Sequence, residues 1–153
     1  MKPAPGVLLC SEPFFADLAS SHLASGQMVR FQALGRSMWP FIRDGDWVAV
    51  EPLAPARARR GDVLFYRLPG GGLRLHRLLR KRRGGRAFLP KGDAALWLNE
   101  GWLQGAYILG RVARVERGGR EIPLAAAPYR WLGWSYSLGR VAWHLVTAAF
   151  GRR

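Results

Sequence analysis

Apolar and polar residues alternate with two different periods along this chain, and the change of period separates a short helical start from an extended remainder. In residues 12–25, EPFFADLASSHLAS, Phe14 and Leu18 recur at helical spacing and Gly26 ends the run. From residue 27 the run QMVRFQAL alternates residue by residue, which is the period of a strand. The pattern therefore predicts one short N-terminal helix followed by strands.

Seven strand-like segments follow one another between residues 27 and 124, with glycine turns between many of them. They are residues 27–34, 46–52, 61–68, 73–80, 87–94 and the two halves of 105–124, which Gly118 and Gly119 separate. Short strands with frequent glycines and little helix between them predict a mainly β fold, a small barrel or sandwich. We expect three parts: an N-terminal helix and cap in 1–26, a β domain in 27–125, and a C-terminal helix in 126–153.

The C-terminal segment carries an amphipathic pattern with an unusually wide apolar face. On a helix, its small and polar residues form one narrow stripe: Gly133, Ser137, Arg140, His144 and Thr147. Tryptophans and aliphatic residues cover the rest, and two arginines end the chain. Such a helix either lies on an anionic membrane surface through residues 131–153 or packs its apolar face on the β domain. The pattern leaves both arrangements open.

The strongly positive charge of the chain predicts a polyanionic partner. The formal net charge is +14, with three lysines among 24 basic residues. Such a surface attracts nucleic acid or anionic lipid. The basic run RKRRGGR falls in a predicted turn, and no RNA-binding aromatic signature accompanies it, so we favour lipid over nucleic acid.

Cysteine and histidine content limits the chemistry that the chain can perform. Cys10 is the single cysteine, so no disulfide can form within the chain, and no Cys/His group has zinc-ligand spacing. We therefore expect neither a metal nor another cofactor. The apolar run near the N-terminus is too short for a secretory signal, and no uninterrupted apolar run has the length of a transmembrane helix. The expected location is the cytoplasm or the periphery of a membrane.

Three short motifs could carry chemistry, although each one alone is common. The first is GRSMWP, residues 35–40, followed closely by a Gly-Asp turn. The second is the strand-like pair GDVLFYR and LRLHRLL, which contains His76, and the third is LPKGDA, which contains Asp93. A lone loop serine or histidine is usually structural, so the order and spacing of the three motifs carry the weight.

In these motifs the chain resembles the type I signal peptidase and self-cleaving repressor superfamily of serine peptidases. The matching pieces, which span about residues 27–122, are Ser37-Met38-x-Pro40, the Gly45-Asp46 turn, Gly61 to Val63, HRLL from His76, Lys91 to Ala94, and LGRVARVERGGR. His76 stands where the housekeeping signal peptidases and the repressors have a lysine. The chain is therefore most similar to the Ser-His branch of the endoplasmic reticulum, archaea and sporulation.

This resemblance implies a serine endopeptidase that cleaves a leader or precursor peptide on a signal-peptidase-like β scaffold. Ser37 would be the nucleophile, His76 the base, and Asp93 the carboxylate that orients the imidazole. A serine hydroxyl needs a base to take its proton, and an imidazole can do so near neutral pH. A carboxylate on the other ring nitrogen would fix the tautomer.

Four residues around the nucleophile would contact the oxyanion or the substrate: Gly35, Met38, Trp39 and Pro40. The Ser37 backbone N–H would be one oxyanion donor. Gly35 stands where signal peptidases can have a hydroxyl residue, so the second donor stays open. Two other functions also stay open: a catalytically idle peptide-binding module of the same fold, and a basic nucleic-acid-binding β-barrel.

Overall fold

A computed structural model describes residues 12–96 and 100–150 of the chain. In this part, two helices flank eight strands: α1 (Glu12–Ala24), β1 (Val29–Gln32), β2 (Trp47–Pro52), β3 (Val63–Arg67), β4 (Leu73–Lys81), β5 (Ala87–Lys91), β6 (Leu103–Gln104), β7 (Ile108–Arg117), β8 (Arg120–Ile122) and α2 (Ala127–Phe150). The prediction of a mainly β fold with a short N-terminal helix and a C-terminal helix is confirmed.

The strands of the described region form one antiparallel sheet that curls into a half-barrel. Its order is β1-β2-β7-β3-β4-β5-β6, and β8 pairs with β7 beside this path. The long strand β7 therefore joins the hairpin β3–β4 to the hairpin β1–β2. Three segments that are far apart in sequence come close together in this fold: the β1–β2 connection, the middle of β4 and the end of β5.

Both faces of β3 are covered along residues 63–66, which explains the uninterrupted apolar run in that part of the strand. Val63 and Phe65 belong to a core cluster that α1 closes with Ala19 and Leu23. Alternate residues Leu64 and Tyr66 belong to a second cluster, with Leu78 and Phe88. Because successive strand residues point to opposite faces, a strand between two clusters must be apolar at every position.

Helix α2 packs against β4, so the C-terminal segment is part of the folded body. The indole N–H of Trp134 donates to the backbone oxygen of Leu79 at 3.1 Å. Among the described residues, no helix combines the length and apolar character that crossing a bilayer requires. Residues 151–153 of the predicted membrane-binding segment, and the side chains of His144 and Thr147, lie outside what the structure describes.

Candidate functional site

Ser37 lies on the connection between β1 and β2, in a loop that is pinned at both ends. The backbone N–H of Ala33 donates to the backbone oxygen of Asp46, and the N–H of Gly45 donates to the backbone oxygen of Ala33. Both bonds are 2.8 Å long, and together they close the loop at its base. Next to the serine, Met38 is buried and anchors the loop in the core. Ser37 itself is exposed, so its hydroxyl is accessible from solvent while its backbone is held from below.

The glycine two residues before the serine supports the loop and is not a free oxyanion donor. Gly35 has a positive φ of 90°, a conformation that other residues rarely adopt. Its N–H donates to the carboxylate of Asp44 at 2.7 Å. Within the described residues, the N–H of Ser37 has no acceptor. Of the two groups, the Ser37 N–H is therefore the one available to an oxyanion.

His76 lies in the middle of β4, opposite Leu64 of β3. One hydroxyl group and one carboxylate contact the Nδ1 atom of its ring. Nδ1 is 2.9 Å from the Tyr66 hydroxyl and 3.3 Å from Oε2 of Glu100. The Tyr66 hydroxyl in turn donates to Glu100. A carboxylate can only accept, so this network assigns the ring proton to Nδ1 and leaves Nε2 as an acceptor.

Gly92, directly after β5, brings Ser37 and His76 to the same place. A Cβ at Gly92 would lie 3.2 Å from Nε2 of His76 and 3.3 Å from Cβ of Ser37. It would also lie 2.7 Å from the Ser37 carbonyl oxygen, which accepts a 2.9 Å hydrogen bond from the N–H of Ala94. The free nitrogen of His76 and the serine side chain thus border one small space, and only a residue without a side chain fits behind it.

Ser37 and His76 are neighbours that stop short of a direct contact. Among the described residues, no hydrogen bond joins the Ser37 hydroxyl to Nε2 of His76. In unliganded enzymes such bonds are commonly long and tighten when substrate binds. The arrangement is therefore compatible with a nucleophile and its base.

Asp93 does not orient His76, which corrects the role expected for it from the sequence. Both of its oxygens accept from Arg77, at 2.8 and 2.7 Å, and both side chains are fully buried. Arg77 follows His76 directly on β4, so the two side chains leave the strand on opposite faces. Asp93 lies with Arg77, and the carboxylate that contacts the imidazole belongs to Glu100.

The charges around the imidazole favour an ionised Glu100. Its burial alone would raise the pKa of that carboxyl, but hydrogen bonds to His76 and Tyr66 outweigh burial and hold the pKa of Glu100 below its usual value. Burial and the Glu100 carboxylate raise the pKa of the Tyr66 hydroxyl, so it stays protonated and can donate. A negative group thus faces Nδ1 throughout the neutral range.

Sequence reasoning missed Glu100 and Tyr66, and only Tyr66 left a usable signal. Tyr66 precedes the β3–β4 turn and pairs with Arg74, two residues before His76, which places it on the same face as His76. Glu100 is in a segment without strand or helix periodicity. Its contact with the imidazole depends on the path of the chain after β5, which no local pattern encodes.

Helix α2 backs the loop that touches the site, through a set of buried polar contacts. Lys91, which is buried, donates to the Gly92 oxygen at 3.0 Å and contacts the Ser137 hydroxyl at 3.2 Å. Arg140 donates to the Ala94 oxygen at 3.2 Å. Burial lowers the pKa of Lys91, and its ammonium faces α2.

A cleft of about 550 Å³ opens beside Ser37 between α1 and the sheet. Most of its walls are apolar, contributed by Phe15, Phe31, Leu34, Met38, Phe65, Leu73 and Leu75. Of the predicted substrate contacts, Gly35 and Met38 line this cleft. Trp39, with half of its surface exposed, and Pro40, which follows a cis peptide bond, are not among its lining residues.

The arrangement can hold an extended apolar segment against an exposed hydroxyl that has an imidazole nearby. Comparison with other proteins adds nothing to this geometry, since no protein-family model and no curated protein matches the chain.

Proposed function

We propose that this protein is a serine endopeptidase, similar to the Ser-His signal peptidases, which cleaves a leader or precursor peptide. The observation that supports it most is the convergence at Gly92. There the exposed Ser37 side chain and the acceptor nitrogen of His76 border one space, and the other ring nitrogen is held by Tyr66 and Glu100.

In the proposed reaction the Ser37 hydroxyl attacks the peptide carbonyl as Nε2 of His76 takes its proton. The imidazolium that forms is stabilised by the Glu100 carboxylate at Nδ1, and it then gives the proton to the leaving amine. The backbone N–H of Ser37 donates to the oxyanion. Water repeats the sequence on the acyl-enzyme, releases the second product and returns the hydroxyl to Ser37.

The cleft indicates which class of peptide the enzyme would accept. Its apolar walls suit a segment with apolar side chains, and its position beside Ser37 suits an extended backbone that passes the hydroxyl. Folded proteins seldom offer such segments, whereas leaders and precursor tails do. We infer an exposed, extended, apolar stretch of a precursor as substrate.

Cleavage of a peptide library, read by mass spectrometry, tests the proposal. Wild-type protein should produce new termini at a defined set of sequences. Ser37→Ala and His76→Ala should lose that cleavage by on the order of 10⁴-fold or more, since a nucleophile and its base act as a unit. Ser21→Ala, which changes an exposed serine of α1, should cleave like the wild type.

Two results would contradict the proposal. Cleavage that survives in Ser37→Ala would assign the activity elsewhere. Binding of the same peptides by the wild type, without any cleavage, would support the idle peptide-binding module instead.

A further inference from the structure

The side of α2 that packs against the sheet carries Gly133, Ser137 and Arg140 of the narrow polar stripe together with Trp134, which is unusual for an amphipathic helix. Gly133 and Ser137 are buried, and Arg140 reaches the loop after β5. A Cβ at Gly133 would overlap the buried guanidinium of Arg77, so the helix backbone lies directly on that charged group. These small and polar residues face inward because the surface beneath them carries the Arg77–Asp93 pair and Lys91.

The opposite side of α2, which we call the outer face, is exposed and carries no charge. It consists of Trp131, Leu132, Ser135, Gly139, Ala142 and Trp143, all of which are exposed. The exposed fractions of its largest side chains are 49% for Trp131, 60% for Leu132 and 71% for Trp143. Large exposed apolar side chains grouped on one face mark an interaction surface in soluble domains.

We propose that the outer face docks on an anionic lipid surface. Tryptophan suits the boundary between headgroups and acyl chains, since its apolar body can enter while the indole N–H stays hydrated. Trp131 and Trp143 lie about 18 Å apart along the helix, at 1.5 Å per residue, so both can enter one plane when the helix lies flat. Between the two tryptophans this face carries small residues such as Ser135, Gly139 and Ala142. It therefore needs no partner of matching shape, and a fluid lipid surface is sufficient.

The charge of the protein complements such a surface. Its net charge is +14, and no aspartate or glutamate follows Glu121 in the sequence. Anionic headgroups would therefore attract this end of the molecule, and no acidic side chain on α2 would be driven against them. In the proposed contact, α2 lies flat on the bilayer surface with its outer face toward the lipid.

Vesicle flotation with the full chain tests this inference, and it needs no catalytic activity. The probe is vesicles of phosphatidylglycerol and phosphatidylcholine, compared with phosphatidylcholine alone. Wild-type protein should float with the anionic vesicles at low salt and dissociate as salt is added. The triple variant W131S/L132S/W143S should bind at least about tenfold more weakly, because three apolar side chains no longer enter the bilayer.

The matched control removes an exposed tryptophan elsewhere. Trp102, just before β6, is 42% exposed and lies under the guanidinium of Arg82. Trp102→Ser should float like the wild type. Circular dichroism should show both variants folded, because all the replaced side chains are exposed.

Three outcomes would overturn the proposal. The first is wild-type protein that ignores anionic vesicles at low salt. The second is equal loss of flotation in the triple variant and in Trp102→Ser. The third is self-association, measured by light scattering, that the triple variant abolishes while flotation is unchanged, since the outer face would then bind a second copy of the chain.

Discussion

Replacing each of two carboxylates by its amide should separate the residue that supports the fold from the one that serves the imidazole. Asp93→Asn leaves the Arg77 guanidinium fully buried with its carboxylate partner gone, while the Gly61 oxygen at 2.8 Å and the Phe41 ring remain. Removing one partner of a buried ion pair costs about 3–5 kcal/mol. That is a large share of the about 5–15 kcal/mol by which domains are stable, and it should lower the thermal midpoint by roughly 6–20 °C.

Glu100→Gln should behave in the opposite way. The Glu100 side chain is 17% exposed, so its loss should cost only about 1–2 kcal/mol of stability. Cleavage should fall on the order of 10²-fold or more, since an amide at Nδ1 no longer enforces the tautomer or stabilises the imidazolium.

Urea denaturation followed by tryptophan fluorescence measures the first effect, and the rate on one peptide substrate measures the second. Both rates are taken at a temperature where both variants are folded. An Asp93→Asn variant as stable as the wild type but inactive, beside a fully active Glu100→Gln, would refute this reasoning and return the orienting role to Asp93.

Three further predictions concern the same site. Gly92→Ala should lose about 1–3 kcal/mol of stability and about 10²-fold in cleavage rate, because the added Cβ would lie 2.7 Å from a backbone oxygen of the serine loop. The control Gly70→Ala has open space around it and should change neither quantity. His76→Ala should abolish cleavage, whereas Lys91→Met should keep it and lower the thermal midpoint, because the lysine faces α2. An active His76→Ala beside an inactive, folded Lys91→Met would instead make Lys91 the base. Burial would raise the pKa of Glu100, but its hydrogen bonds lower it, so the stability that Glu100 contributes at neutral pH should be lost as the pH falls through the lowered pKa. Denaturation of the wild type and of Glu100→Gln at several pH values measures this effect. The difference in stability between them should shrink as the pH falls below 4.5, the ordinary pKa of the group, and a difference that widened would contradict us.

Strand periodicity predicted most of the sheet, because most of the strands are long enough to show a period. The segments 46–52 and 61–68 contain β2 and β3, and the segment 73–80 covers β4 except for its last residue, Lys81. The strand β6 was missed because it consists of Leu103–Gln104 alone, and two residues have no period. Its pairing with β5 depends on chain geometry and not on local sequence.

The sequence predicted that α2 is amphipathic but could not indicate which face packs inward. Apolar faces usually turn toward a core. Here the surface under the helix contains a buried ion pair and a buried lysine, contributed by Arg77, Asp93 and Lys91 from other parts of the chain. Which face is buried is therefore decided by residues that are remote in sequence, and helical periodicity holds no information about them.

The candidate site was predictable where motifs carry it and not where tertiary contacts do. Ser37 and His76 were predicted from the resemblance of their motifs to the Ser-His signal peptidases, and the fold places both of them beside Gly92. The assignment of Asp93 failed because an acidic residue beside a lysine and a glycine can pair with any nearby cation. The β4 pleat turns Arg77 toward it and His76 away.

The central claim is that Ser37 is a nucleophile activated by His76, and covalent labelling with a fluorophosphonate tests it most directly. Intact-mass and peptide mass spectrometry should find a single adduct, on Ser37, because this exposed serine has the acceptor nitrogen of His76 beside it. The adduct should form far more slowly in His76→Ala, whereas Lys91→Met should label like the wild type. An adduct on another serine, no adduct on Ser37, or equal labelling of Ser37 in His76→Ala would contradict the account.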